Sequence, residues 1–543
     1  RQLLVTDGIT LHFNLLDPEA FGNEVSEGMM TLGEISRQQD EEDLQQAQTW
    51  LDELSGFDIG QLSASQQMDY TLLQRSLQQT LDSAQDWQFQ FLFEPAQGLI
   101  AALNQNFLEF RLQTAQDVED YLTLLADVPR YLDEALAYTA LQAESGIFMQ
   151  DATLDSAIEE IRDFTAKTED NTLILNFDEK LNEIDELSEE QRQQFGQRNR
   201  QIMLQQILPA YEEVAQTLQS YQGTAQTEGG MAAYGPAGEA AYQRLMQSQS
   251  GTDMTIPELA AALEEELIAV LQRVFVLMQQ DPQLADKYEE LSFPQGSIEE
   301  ILQLHEQNMT QVVPQIESVT YTVDVLDPSV VDENTLAYYL VPPMDVPTDN
   351  VIKVNEQTMN GNQETMFTTL AHEGFPGHLY QHNYYAATHP SPIRSVLSEI
   401  AYSEGWAKMM ELESYRWAGT EDQRLIEFCQ LNAIYGYYLS CLADVAVNGL
   451  GWSLSELEEY LANYGADSAA ADVYQQCVDN PGVLLPYGVG YLQMNRLREK
   501  AQEALGSSLD MKEFYTVILD NGARPFDLVE QDVDAWIEQA QNK

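Results

Sequence analysis

Helical periodicity is the feature that most limits how this chain can fold. From Asp40 to about Ala285, apolar residues recur three and four positions apart, as in "VEDYLTLLADVPRYLDEALAYTALQ". This spacing places the apolar side chains on one face of an α-helix and predicts a stack of amphipathic helices. Breaks fall at "TEGGMAAYGPAGEAAY" and "LSFPQGS", where Gly and Pro interrupt the pattern, and the helical period returns in the C-terminal part, for example in "GYLQMNRLREKAQEALG".

A short stretch between Glu317 and Gln357 has a different pattern. The segments "ESVTYTVDVLD", "TLAYYLVPP" and "NVIKVNEQ" are alternating or β-branched runs bounded by Pro, Asp and Asn, which predicts short strands. We therefore expect a mainly α fold with a small β-sheet. Asp349–Glu356 is expected to be an edge strand to which an extended peptide could add, which makes Val351 and Lys353 candidate substrate-binding residues.

The charge of the chain excludes one class of partner. Lys and Arg number 25 against 89 Asp and Glu, a formal net charge of −64. Such a surface would repel phosphate backbones, so we expect no nucleic-acid partner.

No run of about 18 apolar residues is present, so no transmembrane helix is expected. The three cysteines form no CxxC pair and are expected to be buried, with one disulfide left open.

Histidine is concentrated in one segment. Four of the six histidines lie in "TTLAHEGFPGHLYQHNYYAATH", residues 368–389. Histidine is the commonest metal ligand, so the cluster indicates a site. His372 is followed by Glu373, as in the HExxH motif of zinc peptidases, but the second histidine, His378, comes six positions later. On a regular helix the two rings would point roughly 120° apart. Both can bind one metal only if Pro376 and Gly377 break the helix.

A third ligand is expected from the next helical segment. "SEIAYSEGWAKMMELE" offers Glu399, Glu404, Glu411 and Glu413. Glu399 and Glu404 lie roughly 140° apart around a helix, so both should not face one metal. Spacing alone leaves the choice open. His382 and His389 are not expected to be ligands, and His305, in "QLHEQN", is expected on a helix surface.

Two motifs together carry a resemblance to a known family. "HEGFPGHLYQ" from His372 and "SEGWA" from Ser403 resemble the HExxPGH and EGWA motifs of the bacterial domain of unknown function 885, a family that belongs with the zincin-like metallopeptidases. The resemblance covers most of the chain from about Leu208 and, more weakly, the helical part before it. It departs from the family pattern at Phe514-Tyr515, where the family usually has Phe-His, so no histidine role can be assigned to Tyr515.

This resemblance implies a zincin-like helical fold, with zinc bound by His372, His378 and Glu404 and with Glu373 as the catalytic base. It further implies that Tyr487 faces the zinc, with Tyr491 next in line as a substrate-binding residue. The expected organisation is an N-terminal helical region, 1–290, and a catalytic region, 291–543, with a cleft between them. The expected activity is zinc-dependent hydrolysis of short peptides.

Two alternatives to the peptidase interpretation stay open. One is an inactive zincin-fold surface or binding lipoprotein, and the other is a zinc hydrolase of a non-peptide amide or ester. The chain starts at Arg1 without Met, and Arg1–Leu16 lacks signal-peptide features. With the resemblance to exported lipoproteins of Gram-positive bacteria, this leads us to expect an extracellular or cell-surface protein with a lipid anchor upstream. The sequence does not determine the oligomeric state.

Overall fold

The computed structural model describes residues 6–19, 29–326, 335–356 and 362–542. The chain is about 70% helical and contains a small three-stranded sheet, so the prediction of a mainly α fold is confirmed. Residues 1–5, the start of the segment considered as a possible leader, lie outside the described residues. Asp327 and Gln357, the last residues of two predicted strand segments, also lie outside them.

The helices follow the predicted periodicity closely. Those described are, in chain order, α1 (Gly8–Asn14), α2 (Arg37–Leu54), α3 (Ala64–Ser83), α4 (Leu99–Glu109), α5 (Ala115–Ser145), α6 (Asp151–Ala166), α7 (Thr172–Glu183), α8 (Glu189–Ile202), α9 (Leu208–Ser220), α10 (Pro236–Ser250), α11 (Ile256–Gln280), α12 (Leu284–Glu289), α13 (Ile298–Met309), α14 (Gln363–Glu373), α15 (His378–Ala386), α16 (Ile400–Ser414), α17 (Gln423–Asp444), α18 (Leu454–Ala462), α19 (Ala470–Asp479), α20 (Leu485–Leu505), α21 (Met511–Leu519) and α22 (Phe526–Gln541). None of them is both long and apolar enough to cross a membrane.

Contacts between residues divide the chain into two compact units. The first comprises Arg1–Ala241, Pro343–Asp345 and Ser468–Pro481. Its longest helix, α5, starts at a capping box in which Thr114 and Asp117 satisfy each other's backbone N–H groups, and it ends at Gly146 in a left-handed conformation. The predicted division into residues 1–290 and 291–543, with a cleft between them, stays a prediction.

The second unit comprises Tyr242–Pro342, Val346–Asp467 and Gly482–Lys543. Its core contains a close crossing of α16 and α20, made possible by Gly405 and Gly490. A Cβ on Gly405 would lie 2.5 Å from the carbonyl group of Gly490, and a Cβ on Gly490 would lie 2.2 Å from the carbonyl oxygen of Ala401. Because no side chain separates the two backbones, residues on neighbouring turns of both helices come close together.

The sheet also belongs to the second unit. Its strands are β1 (Tyr321–Val325), β2 (Ala337–Leu340) and β3 (Asn350–Val354), so the three predicted strands are confirmed. The order is β1-β3-β2, with β3 parallel to β1 and antiparallel to β2. The prediction of an edge strand at Asp349–Glu356 is therefore wrong. Since β3 pairs on both sides, the backbones of Val351 and Lys353 cannot receive an added strand.

Two local expectations meet different outcomes. His305 was expected on a helix surface, but it is fully buried. Its Nε2 lies 2.9 Å from the carbonyl oxygen of Phe367, which ties α13 to α14. The three cysteines, Cys429, Cys441 and Cys477, are buried as expected, and no disulfide joins any two of them.

Candidate metal centre

The central feature of the site is the break between α14 and α15. Asn362 caps the start of helix α14, where its side chain accepts from the N–H of Thr365, and the helix ends at Glu373. Helix α15 then begins at His378. Gly374–Gly377 between them is not helical, as the spacing of the two histidines predicted. The ring centroids of His372 and His378 lie 4.8 Å apart, with the ring planes at 83°.

Gly377 makes this turn close tightly. Its N–H donates to the carbonyl oxygen of Ala371 at 3.0 Å. A Cβ at this position would lie 1.7 Å from the carbonyl oxygen of His372, far inside van der Waals contact. Only glycine fits here, so the Pro-Gly pair both ends the first helix and returns the chain to it.

Glu404 brings a carboxylate to both histidines. Its Oε2 lies 3.2 Å from Nε2 of His372 and 3.4 Å from Nε2 of His378. Glu404 comes from α16, one residue before the glycine of the α16–α20 crossing. Glu399, the other candidate five positions earlier, stands at the N-cap of the same helix. Of the two, Glu404 is therefore the carboxylate that meets both imidazoles.

Glu373 lies beside these groups in a different arrangement. Its donor atoms and those of His372 and His378 all lie within 4.8 Å of one another, a group that could hold a metal ion. Its Oε1, however, is 3.9 Å from Nε2 of His372, and its Oε2 accepts from the backbone N–H of Tyr339 at 2.9 Å. Burial raises the pKa of Glu373, and the positive charges of the two histidines oppose this rise. Glu373 is held at the edge of the cluster rather than between the two rings.

Tyr487 reaches the cluster from α20. Its ring stacks beside that of His372, with centroids 6.2 Å apart and planes at 23°. Burial raises the pKa of its hydroxyl, and the nearby charges of Glu404 and Glu373 add to the rise, so the phenol is neutral and can donate a hydrogen bond. Tyr491, one turn further along α20, is buried near Arg498, and its predicted substrate-binding role stays a prediction.

Sequence reasoning left out Lys408 and named Glu411 only as one of four possible third ligands. Oε2 of Glu411 lies 3.0 Å from Nδ1 of His372. The same oxygen forms a salt bridge with Nζ of Lys408 at 2.7 Å. Glu404, Lys408 and Glu411 are spaced four and three residues apart, so they share one face of α16. That spacing is visible in the sequence and could have placed Lys408 and Glu411 beside Glu404.

Both ring nitrogens of His372 face carboxylates. Burial by itself lowers the pKa of this imidazole, but the hydrogen bonds with Glu404 and Glu411 outweigh burial and raise it to about 10. Burial likewise raises the pKa of Glu411, while Lys408 and His372 together lower it to about 2. Because an ionised carboxylate only accepts, the contact with Glu411 places a proton on Nδ1, so Nε2, which faces Glu404, is the nitrogen that could bind a metal after losing its proton.

Comparison with known proteins adds a family and a fold. A family model described as "Bacterial protein of unknown function (DUF885)" matches residues 21–533. No curated protein matches significantly. The crystal structure of a proposed lipoprotein from Colwellia psychrerythraea is similar with a TM-score of 0.84 at 18% identity, over 99% of this chain and 98% of that one. A proposed lipoprotein of unknown function from Shewanella oneidensis has a TM-score of 0.58 at 16% identity, over 94% of each chain.

Proposed function

We propose that this chain, which belongs to the bacterial DUF885 family, is a zinc-dependent hydrolase that cleaves short peptides. The observation that carries the proposal is the convergence of Nε2 of His372, Nε2 of His378 and Oε2 of Glu404. Two imidazoles and one carboxylate are a donor set typical of catalytic zinc, which keeps a further position open for water or substrate.

The donor separations fit such an ion. With zinc–ligand distances of about 2.0–2.2 Å, two ligands at tetrahedral positions lie roughly 3.3–3.5 Å apart. Oε2 of Glu404 lies 3.2 Å and 3.4 Å from the two histidine nitrogens. The charges also fit, because the cluster contains the buried or nearly buried carboxylates of Glu373, Glu404 and Glu411 against the ammonium of Lys408. With both imidazoles neutral, as metal binding requires, a divalent cation would leave this group of side chains neutral.

Zinc would supply Lewis acidity that polarises the carbonyl group to be cleaved and makes the attacking water more acidic. In the proposal, Glu373 accepts the proton of that water and passes it to the leaving amine. The N–H of Tyr339 fixes one oxygen of Glu373, which orients its carboxylate. The neutral hydroxyl of Tyr487 donates a hydrogen bond to the oxyanion as it forms.

The edge of β2 that faces away from β3 supports a peptide as the substrate. The N–H of Asn355 donates to the carbonyl oxygen of Leu336, which fixes the alternation of the β2–β3 ladder and turns the backbone groups of Ala337 and Tyr339 away from β3. The hydrogen bond from the N–H of Tyr339 to Glu373 lies on this side of β2, away from β3. No strand of the described residues pairs with that edge. An extended peptide added there would lie beside the base, so β2 replaces β3 as the proposed site of strand addition.

We also propose a lipoprotein-type, exported location. Both similar structures are described as proposed lipoproteins, and the high negative charge is consistent with a highly solvated surface.

The test of the proposed function is a digest of a pool of short peptides followed by mass spectrometry. We expect the wild-type protein to cleave members of the pool, to lose this activity in the presence of a chelator, and to regain it when zinc is restored. A non-peptide amide and an ester, assayed in parallel, distinguish a peptidase from a broader zinc hydrolase. Protein with a full complement of zinc that leaves every peptide intact would contradict the peptidase proposal.

A further inference from the structure

Lys408 is a buried cation whose presence needs an explanation. The residue is only 2% exposed, in a chain where Lys and Arg number 25 against 89 Asp and Glu. Its helix neighbours Met409 and Met410 are also buried. A methionine at 408 would fill a similar volume without removing an ammonium group from water, which is costly unless the charge is paired. Packing alone therefore does not account for a lysine here.

Lys408 contacts two side chains, Glu411 and Tyr437, and each of these lies against a residue of the candidate metal centre. On one side, Nζ of Lys408 lies 2.7 Å from Oε2 of Glu411, and the same oxygen lies 3.0 Å from Nδ1 of His372. On the other side, Nζ lies 3.9 Å from the centroid of the Tyr437 ring. That ring in turn lies 6.1 Å from the ring of Tyr487.

Each contact restricts a side chain that touches the proposed reaction site. Because Lys408 and His372 share one oxygen of Glu411, the ammonium holds the carboxylate in the position from which it orients the imidazole. The cation–π contact holds Tyr437 against the ring of Tyr487.

We propose that Lys408 is a positioning residue that orients His372 through Glu411, and Tyr487 through Tyr437. The inference rests on the proposed function, because it assigns Lys408 to the metal affinity of that site. Outer groups that orient ligating histidines typically change metal affinity by about 10- to 100-fold. We expect an effect of this size from Lys408, although it touches neither metal nor substrate.

The experiment measures zinc affinity, by competition with a chromophoric chelator, and the thermal unfolding of the metal-free protein. Lys408→Met removes the charge and keeps the volume. Lys408→Met combined with Glu411→Gln removes both charges, so no unpaired buried ion remains. Lys500→Met is the matched control, because Lys500 pairs with Glu530 and Asp534 at the surface of the same unit.

We expect Lys408→Met to bind zinc about 10- to 100-fold more weakly than the wild type and to unfold at a lower temperature. The double variant should recover much of the unfolding temperature but not the zinc affinity, because a neutral amide holds the imidazole less firmly than a carboxylate. Lys500→Met should match the wild type in affinity. Should Lys408→Met fail to fold, the double variant still tests whether the Lys408–Glu411 pair sets the zinc affinity.

Wild-type zinc affinity in the double variant would overturn the inference, because it would show that Lys408 and Glu411 stabilise the fold without affecting the metal site. So would wild-type affinity in a folded Lys408→Met protein. A wild-type protein that takes up no zinc gives a different result: it overturns the proposed function and removes the inference with it. A histidine-selective ¹⁵N spectrum is simple in a chain with six histidines. It should show Nδ1 of His372 protonated in the zinc-loaded wild type, and a weaker signal of the protonated Nδ1 in Lys408→Met.

Discussion

Glu373→Gln is expected to lower peptide hydrolysis by about 10²- to 10⁴-fold, the usual contribution of general acid–base catalysis, while zinc content and fold are retained. The reason is geometric. Glu373 is held by the N–H of Tyr339 at the edge of the cluster, whereas Glu404 meets both histidines. An amide of the same shape can keep the position of Glu373 but cannot accept a proton from water.

The measurement compares initial rates on one cleaved peptide, with zinc content and thermal unfolding determined on the same samples. Glu364→Gln is a suitable control because it makes the same substitution on the same helix, at a carboxylate that accepts from Tyr288 and Tyr415 instead. Equal cleavage by wild type and Glu373→Gln would remove Glu373 as the base, even if zinc hydrolysis survived.

Glu404→Gln is expected to weaken zinc binding by more than about 100-fold, which exceeds the range typical of groups outside the ligand sphere. The substitution removes the negative charge shared by the two histidines and replaces a strong oxygen donor with an amide. Glu399→Gln is the matched control, because Glu399 stands at the start of the same helix, five residues away.

Competition with a chelator gives both affinities, and the unfolding temperature of the metal-free proteins shows that each variant folds. Glu399→Gln should lie within about tenfold of the wild type. A larger loss for Glu399→Gln than for Glu404→Gln would transfer the ligand role to Glu399.

The helices and the break at the metal centre could be predicted because their causes are local. Apolar periodicity fixes the helical faces, and Pro376 and Gly377 interrupt the ladder between two histidines that a regular helix would separate. The choice of Glu404 over Glu399 needed more than spacing. It depends on how α16 packs on α20 through Gly405 and Gly490, and only the resemblance to other proteins pointed to it.

Strand order could not be predicted, because it depends on pairing between distant segments. β3 follows β1 and β2 in the sequence yet lies between them in the sheet. The segment "DNVIKVNE" does not by itself indicate that this strand pairs on both sides. His305 is a different case: it shares a helix face with the buried Ile301, Leu302 and Met309, so helical phase could have shown that it is buried. Lys408 was missed because lysine is usually assigned to solvent.

The central claim is that His372, His378 and Glu404 together hold one zinc ion, and elemental analysis tests it most directly. Protein purified without chelator should contain about one zinc per chain, and His372→Ala and His378→Ala, purified in the same way, should contain almost none. His389→Ala, an exposed histidine outside the cluster, should retain the wild-type content. Wild-type protein without zinc under zinc-replete conditions, or wild-type zinc levels in both cluster variants, would contradict the account.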